Sequence, residues 1–580
     1  MVTDPDLVSI QEVRGKVEQA WSAWTRYKGF SQSQIDSIVE SVASAARDHA
    51  QRLAELAVQE TGYGNAADKY AKNMLAADIL PRRMRGMRTV GVLRENAEEG
   101  IVEIGEPVGV VAAVLPTTNP TSTAIYKTLI ALKSGNAIVL SPHPRARGCS
   151  CETAAILATA AQQAGAPEGL VACIGTSTVE ATNELMRHRR TAVILSTGGS
   201  GIVRAAYSSG KPAFGVGPGN VPILVDTSAD IDRAVEKIIE GKSFDYGTLC
   251  SSEQTVVAER SLREKLVAAF KNRKAHFADA AQTQALERLL ITKNFAINPE
   301  CVGQSAQRIA GMAGFEIAAG APIIIVEIGG IGRDHPLSAE KLSPVLSLHF
   351  VETFAAALDA CEAVLRFGGL GHTCGIYATD DARIREYALR MPAYRVVANT
   401  STPKGSTGIT TNVFPAMTLG CGAIAGNSTS DNIGPMHLIN IKRLAYDRES
   451  TARLSKTAPG SLMSNVEKTD RVDRTEIVAA VERYLARRSG VASAGAKAQA
   501  ELALGKPAPG KPAPPQPAAS EPAIVDFVCE DDVRQAIRDS RKIFIGPKTI
   551  VTPSARDLAG PHDILVLVKN APAKDASVKK

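Results

Sequence analysis

The sequence has no long apolar run and no concentrated block of one charge. No stretch approaches the ~18 consecutive apolar residues of a membrane-spanning helix, so no span is expected. Its 66 basic and 60 acidic side chains leave a net charge of only +6 over 580 residues. No dense Lys/Arg cluster precedes the extreme C-terminus, which argues against a nucleic-acid partner. The N-terminal MVTDPDLVSIQEV lacks the basic and apolar regions of a secretory signal. There are nine cysteines, an odd number, and none has the paired spacing of a zinc site. Cys149 and Cys151 form a CxC with no second pair beside it. The expectation is a cytoplasmic protein with reduced thiols and no metal.

What is present is a globular balance, with 44% hydrophobic and 22% charged residues. A chain of 580 residues exceeds one hydrophobic core and predicts two or more domains. Residues 8–60 read as helices: Ile10, Val13, Val17 and Trp21 recur at helical spacing, as do Ile35, Ile38, Val39 and Val42. From residue 107 short valine-rich runs alternate with helical segments. PVGVVAAVLP, AIVLS, LVACI and TAVILS read as buried strands, followed after a glycine-rich turn and a short helix by VPILVD. The helices between them include STAIYKTLIALKSGN, CETAAILATAAQQAG and TVEATNELMRH. Such alternation predicts a doubly wound parallel sheet, which binds ligands at the carboxyl ends of its strands. Residues 230–430 repeat the alternation less regularly and read as a second α/β domain facing the first across a cleft.

The tail departs from this pattern. Residues 473–488 (DRTEIVAAVERYLARR) form an amphipathic helix, with a capping box at Asp473 and Glu476. Residues 489–522 are rich in Ala, Pro, Gly and Lys, a composition that cannot bury a core. In 523–569, AIVDFV, KTIVTP and DILVLV read as strands and EDDVRQAIRDSRK as a helix.

The strongest chemical signal is FDYGTLCSSEQ, residues 244–254. It sets Cys250 among small and polar neighbours, just before the strand-like run Gln254–Val257, where a thiol reads as an exposed nucleophile. Asn119, in PTTNPTSTA, lies at the end of the first sheet strand, where a side-chain amide either points into the cleft or caps the following helix. STGGSG, residues 196–201, follows a strand and opens a helix, an arrangement that suits phosphate although it is not a GxGxxG fingerprint.

These motifs together resemble the aldehyde dehydrogenase superfamily over roughly residues 8–450, and in particular its coenzyme A-acylating branch. The resemblance implies an aldehyde dehydrogenase-like α/β fold: a doubly wound parallel-sheet cofactor domain, 1–228 with part of 430–450, and a second α/β catalytic domain, 229–430. A C-terminal helix at 473–488, a linker at 489–522 and a small segment at 523–580 follow. Cys250 is the implied nucleophile, and Asn119 with the Cys250 amide holds the oxyanion. Thr117, together with Thr197, Gly198 and Gly199, falls to the nicotinamide cofactor. Ser141, Pro142 and His143 in LSPHPRA match the segment near the adenosine ribose. No Asp or Glu lies in that loop to bind a 2′-hydroxyl, and Arg145 or Arg147 is placed to meet a 2′-phosphate, so NADP stays open; NAD is what the resemblance implies. Glu340, in EKLSPV, matches the glutamate that holds the nicotinamide ribose. His372, in GLGHTCGIY, matches a position that assists the incoming thiol, with a structural role as its alternative.

One residue of the hydrolytic pattern is missing. GVGPGN, residues 215–220, aligns with a segment whose leading glutamate activates water, and Gly215 stands in its place. Water, with a pKa of about 15.7, needs that base; a thiol near ~8.5 does not. Residues 418–442 resemble the end of acylating enzymes, including the dehydrogenase half of bifunctional aldehyde-alcohol dehydrogenases. The expected reaction is oxidation of a short-chain aldehyde to acyl-CoA, with NAD and coenzyme A, through an acyl-cysteine thioester. The alternatives are a hydrolytic dehydrogenase giving the free acid and a non-catalytic scaffold. A homodimer or homotetramer is implied. The helix at 473–488 resembles an encapsulation peptide, which implies shell-protein partners and a bacterial microcompartment.

Overall fold

The helical spacing near the N-terminus builds α1 (Pro5–Tyr27), α2 (Gln32–Asp48) and α3 (Ala50–Thr61), followed by α4 (Ala66–Met74) and α5 (Leu80–Met84). Asp4 caps α1 and Ser31 closes a capping box on α2, so both helices begin where a side-chain oxygen satisfies free N–H groups. The computed structural model describes residues 4–292, 295–447, 525–528, 530–539, 541–559, 562 and 564–567. The amphipathic helix expected at 473–488 and the linker at 489–522 lie outside them. The chain divides into two compact units, Met1–Lys468 and Thr469–Lys580.

Strands β1 (Gly91–Asn96) and β2 (Ile101–Pro107) precede the first parallel sheet. That sheet contains β3 (Val110–Val114), β4 (Ala137–Ser141), β5 (Val171–Cys173), β6 (Thr191–Thr197) and β7 (Ala213–Val216), in the order β5-β4-β3-β6-β7. Every residue of β3 and β4 is buried, as expected of strands covered on both faces. Helices α6 (Pro120–Lys133), α7 (Arg147–Gln163), α8 (Val179–Arg187) and α9 (Ser200–Tyr207) connect the strands. The strand order reverses between β3 and β6, and at such a switch point a crevice opens at the carboxyl ends. Lys127 of α6, fully buried, donates there to the Val114 carbonyl (2.7 Å) and the Leu195 carbonyl (2.9 Å).

The second sheet has seven parallel strands: β8 (Val221–Val225), β9 (Glu253–Glu259), β10 (His276–Phe277), β11 (Ile324–Glu327), β12 (Val345–Val351), β13 (Gly371–Tyr377) and β14 (Ala393–Ala398). Their order is β10-β11-β12-β9-β8-β13-β14. VPILVD, grouped above with the first-sheet strands, is β8 of this second sheet, paired with β9 and β13. All five of its residues are buried, so its pattern carries no mark of which sheet it joins. β7, with only four residues and one of them glycine, gave no strand signal. β15 (Ile439–Ala445) returns to pair antiparallel with β2, which also pairs with β1.

In the second unit, β16 (Val525–Val528), β17 (Ile543–Val551) and β18 (Leu565–Leu567) form a parallel sheet. Its helices are Glu530–Arg538 and Pro553–Ala559. Val528, Val533, Ala536 and Ala555 are buried in its own small core. Among the described residues no helix is long and apolar enough to cross a membrane.

The main core joins α1, α2 and α6 to the first sheet. Buried hydroxyls tie α6 to its surroundings: Tyr27 donates to the Leu132 carbonyl, and Tyr126 donates to the Ile433 carbonyl. Tyr126→Phe leaves the Ile433 carbonyl without this donor. An expected loss of about 1–3 kcal/mol is read from the shift in the chemical unfolding midpoint.

Candidate active site

Loops from both sheets meet around one cavity of about 720 Å³. The loop after β3 brings Thr117 and Asn119, and the loop after β4 brings Ser141, Pro142 and His143. The turn after β6 adds Thr197, Gly198 and Gly199, while the second sheet contributes Cys250 and Glu340. All ten of these sequence-predicted residues therefore face one space. His372 is fully buried and stands behind Cys250.

Cys250 is partly exposed at the end of a strained loop. Asp245 and Tyr246 both take left-handed backbone angles, with φ of 48° and 52°, a conformation that costs non-glycine residues of order 1–3 kcal/mol each. Gly219 passes so close to this loop that an added Cβ would sit 2.2 Å from the Cys250 carbonyl oxygen. His372 Nε2 lies 3.2 Å from Cys250 Sγ, and its Nδ1 lies 3.0 Å from Thr373 Oγ1. Burial, with Arg395 adding to it, pushes His372 down to about 3, so the imidazole is neutral at working pH. Burial also pushes the Cys250 thiol up to about 12, reinforced by Glu340 and opposed by Arg395. The pair at rest is a thiol against a neutral imidazole. In the tautomer protonated on Nδ1, Nε2 accepts from the S–H.

Asn119 occupies the N-cap position of α6, but its side chain makes no cap hydrogen bond. Its Oδ1 accepts from Lys72 Nζ, and its Nδ2 donates to Thr118 Oγ1 (2.9 Å). The capping alternative read from the sequence therefore fails. Lys72 and Lys69 of α4 both pair with Asp245 Oδ2. All three are buried, at 2% exposure or less. Burial pulls Lys72 down to about 8 against the attraction of Asp245. Burial opposes ionisation of Asp245 too, but the two lysines outweigh it and hold the carboxyl below its ordinary value. The sequence reading missed all three residues, together with Arg395. Asp245 stood inside the FDYGTLCSSEQ motif; nothing in the sequence marked α4 as its partner.

The side of the cavity lined by Thr197–Gly199 and Glu340 has features that suit a dinucleotide. Helix α9 begins at Gly199 with no side-chain cap, so its first N–H groups are open to a phosphate. An added Cβ at Gly199 or Gly217 meets nothing within 4 Å, leaving room for a ligand against the backbone. Among the described residues Glu340 is the one acidic residue lining the cavity, and its Oε1 accepts from Gly219 N (3.2 Å). Burial raises its carboxyl to about 8. Arg145 lines the cavity with its guanidinium 5.6 Å from the Tyr63 ring centre, whereas Arg147 turns to the Gly175 carbonyl. A side chain at Gly215 would meet Val203 and Tyr207 within 2.9 Å, so those two residues fill that position's space. Among the described residues no cluster of three or more His, Cys, Asp or Glu is arranged to hold a metal ion.

The aldehyde dehydrogenase family profile matches residues 3–285. The bifunctional aldehyde-alcohol dehydrogenase of Escherichia coli K12 is 40% identical over 449 residues, 77% of this chain and 50% of that protein. The chain thus spans about half the length of the first curated relatives it matches. An acetylating aldehyde dehydrogenase from Geobacillus thermoglucosidasius superposes with a TM-score of 0.76 at 49% identity, covering 77% of this chain and 98% of that one. Two propionaldehyde dehydrogenase structures superpose at 0.70, each covering 75% of this chain and 97% of the other. One, at 28% identity, comes from the Clostridium phytofermentans fucose utilisation microcompartment; the other, at 29%, from Rhodopseudomonas palustris, holds CoA and an acylated cysteine. An acetylating relative at 49% identity, covered to 98% of its length, places this chain in the aldehyde dehydrogenase family, within its acylating branch.

Proposed function

We propose that the chain oxidises a short-chain aldehyde to an acyl-CoA, with NAD or NADP and coenzyme A, through a thioester on Cys250. The observation that carries this reading is Cys250, backed by His372, in one cavity with Asn119, whose single acidic lining residue among the described residues is tied to a backbone N–H. In this reading the five-stranded sheet serves the cofactor and the seven-stranded sheet carries the nucleophile.

Cys250 Sγ, its proton lost to solvent, adds to the aldehyde carbon with the neutral His372 imidazole against it. The carbonyl π electrons move to oxygen, where the Asn119 amide and the Cys250 N–H receive the developing charge. Thr197–Gly199 would hold a nicotinamide, which would accept the hydride from the adduct's C–H bond as the oxyanion electrons restore the carbonyl and whose positive charge would favour the thiolate. Glu340 and the loop at Ser141–His143 fit its ribose groups. The acyl group left on sulfur is then open to attack. No carboxylate occupies residues 215–219 to activate water. A coenzyme A thiol, already partly ionised near neutral pH, attacks without such a base, and Cys250 departs as the leaving thiolate. The name of the acetylating relative and the CoA-bound, acyl-cysteine neighbour support this order of events.

The same reading places the enzyme as a homo-oligomer in a bacterial microcompartment, docked through residues 473–488. The amphipathic pattern of that segment and the microcompartment source of one structural neighbour support it.

Two measurements test the chemistry. NADH formation from a panel of short aldehydes is expected to rise at least ~10-fold when coenzyme A is added and to vanish in Cys250→Ala. Free acid produced at full rate without coenzyme A would sink the proposal. Iodoacetamide labelling of Cys250 in the ligand-free enzyme reports its protonation. Because the thiol is raised and only the thiolate reacts, the rate is expected to climb about tenfold per unit across roughly pH 7–10. A plateau near pH 8 contradicts a raised thiol.

A further inference from the structure

Lys72 and Lys69 sit on one face of α4, three residues apart, and both reach the loop that carries Asn119. Lys69 Nζ donates to the Thr118 carbonyl (2.9 Å), fixing the backbone. Lys72 Nζ donates to Asn119 Oδ1, fixing the side chain. An ammonium carries three donors and no acceptor. Those of Lys72 meet three acceptors: Asn119 Oδ1, Asp245 Oδ2 and Thr248 Oγ1 (3.3 Å). The amide oxygen of Asn119 is therefore committed to Lys72, and the NH₂ group is turned away from it. One of its two N–H bonds goes to Thr118 Oγ1; the other remains for the cavity.

The same ammonium grips the nucleophile loop. Asp245 and Thr248 precede Cys250 by five and two residues, and Thr248 Oγ1 donates to Asp245 Oδ2 (2.6 Å). The Asp245 carboxylate is held elsewhere by Asn65 N (2.9 Å) and packs so closely on Gly64 that an added Cβ would come within 1.9 Å of it. Asp68 Oδ2 accepts from Asp245 N (2.8 Å), locking the left-handed turn. Helix α4 thus holds the oxyanion loop and the cysteine loop through one buried point.

We infer that Lys72 is a positioning residue: its fixed contacts to Asn119 and Asp245 aim the Asn119 N–H at the oxygen that becomes an oxyanion when Cys250 attacks. This rests on the function proposed above. Lys72 touches neither substrate nor cofactor and acts through Asn119.

A double-mutant cycle between Lys72→Met and Asn119→Ala reads this directly. Lys72→Met still leaves one cation, Lys69, on the Asp245 carboxylate. Its kcat is expected to fall about 10–100-fold, with KM for aldehyde and cofactor changed less than about threefold. Placed in Asn119→Ala, the same substitution is expected to change kcat by less than about twofold, because the group it aims is gone. A structural role lowers kcat equally in both backgrounds, and multiplying effects would overturn the inference, as would a kcat for Lys72→Met within twofold of the parent. Iodoacetamide labelling of Cys250 forms no oxyanion, so its rate in Lys72→Met should match the parent. Should Lys72→Met not fold, Lys72→Gln, which keeps a donor and similar length, carries the same cycle. If Asn119→Ala and Cys250→Ala both leave turnover intact, the proposed function itself falls; if only the cycle is additive, the role of Lys72 alone does.

Discussion

A carboxylate taken out of water must be neutralised and fully hydrogen-bonded, or it does not stay charged. Asp245 meets this demand with two lysines, a threonine hydroxyl and a backbone N–H. Those partners come from α4, from the start of that helix and from the cysteine loop itself. Satisfying one buried charge therefore fixes α4 and the cysteine loop relative to each other. The cavity between the sheets takes its shape from that requirement. The donor amide keeps its place because Lys72, which holds its oxygen, is itself held by Asp245.

The electrostatics around Cys250 describe an enzyme that is quiet at rest. Burial keeps the thiol protonated and the imidazole uncharged. Arg395, spent largely on the Gly420, Gly371 and Ser430 carbonyls, gives the sulfur only partial help. A reactive thiolate in an empty cavity would be open to oxidation and stray alkylation. In the proposed function, the chemistry would instead wait for the charge and carbonyl of its ligands, a selectivity built from desolvation.

Much of this was legible in the sequence where function is written locally. Cys250, Asn119 and the STGGSG turn each lie in a short window whose residue types point to one chemistry, and the cavity gathers them. The alternation of valine-rich runs with helices was enough for two parallel sheets. What escaped was set by long-range geometry. Lys72 meets Asp245 across 173 residues, and nothing in the α4 sequence announces it. β8 is buried throughout, so no periodicity said which sheet would take it. Asn119 had a cap as its alternative reading, and the observed contacts of its amide decide.

The left-handed turn at Asp245 and Tyr246 has a consequence for how this protein can drift. Glycine relieves such backbone strain, and a change toward it ordinarily adds stability at little cost. At position 245 that route is closed, since the carboxylate is what the two lysines require. Relaxing the backbone there would leave a pair of buried ammonium groups without the carboxylate that both contact. The loop is thus held short of its most stable sequence, and any lineage that keeps the lysines must keep the strain with them.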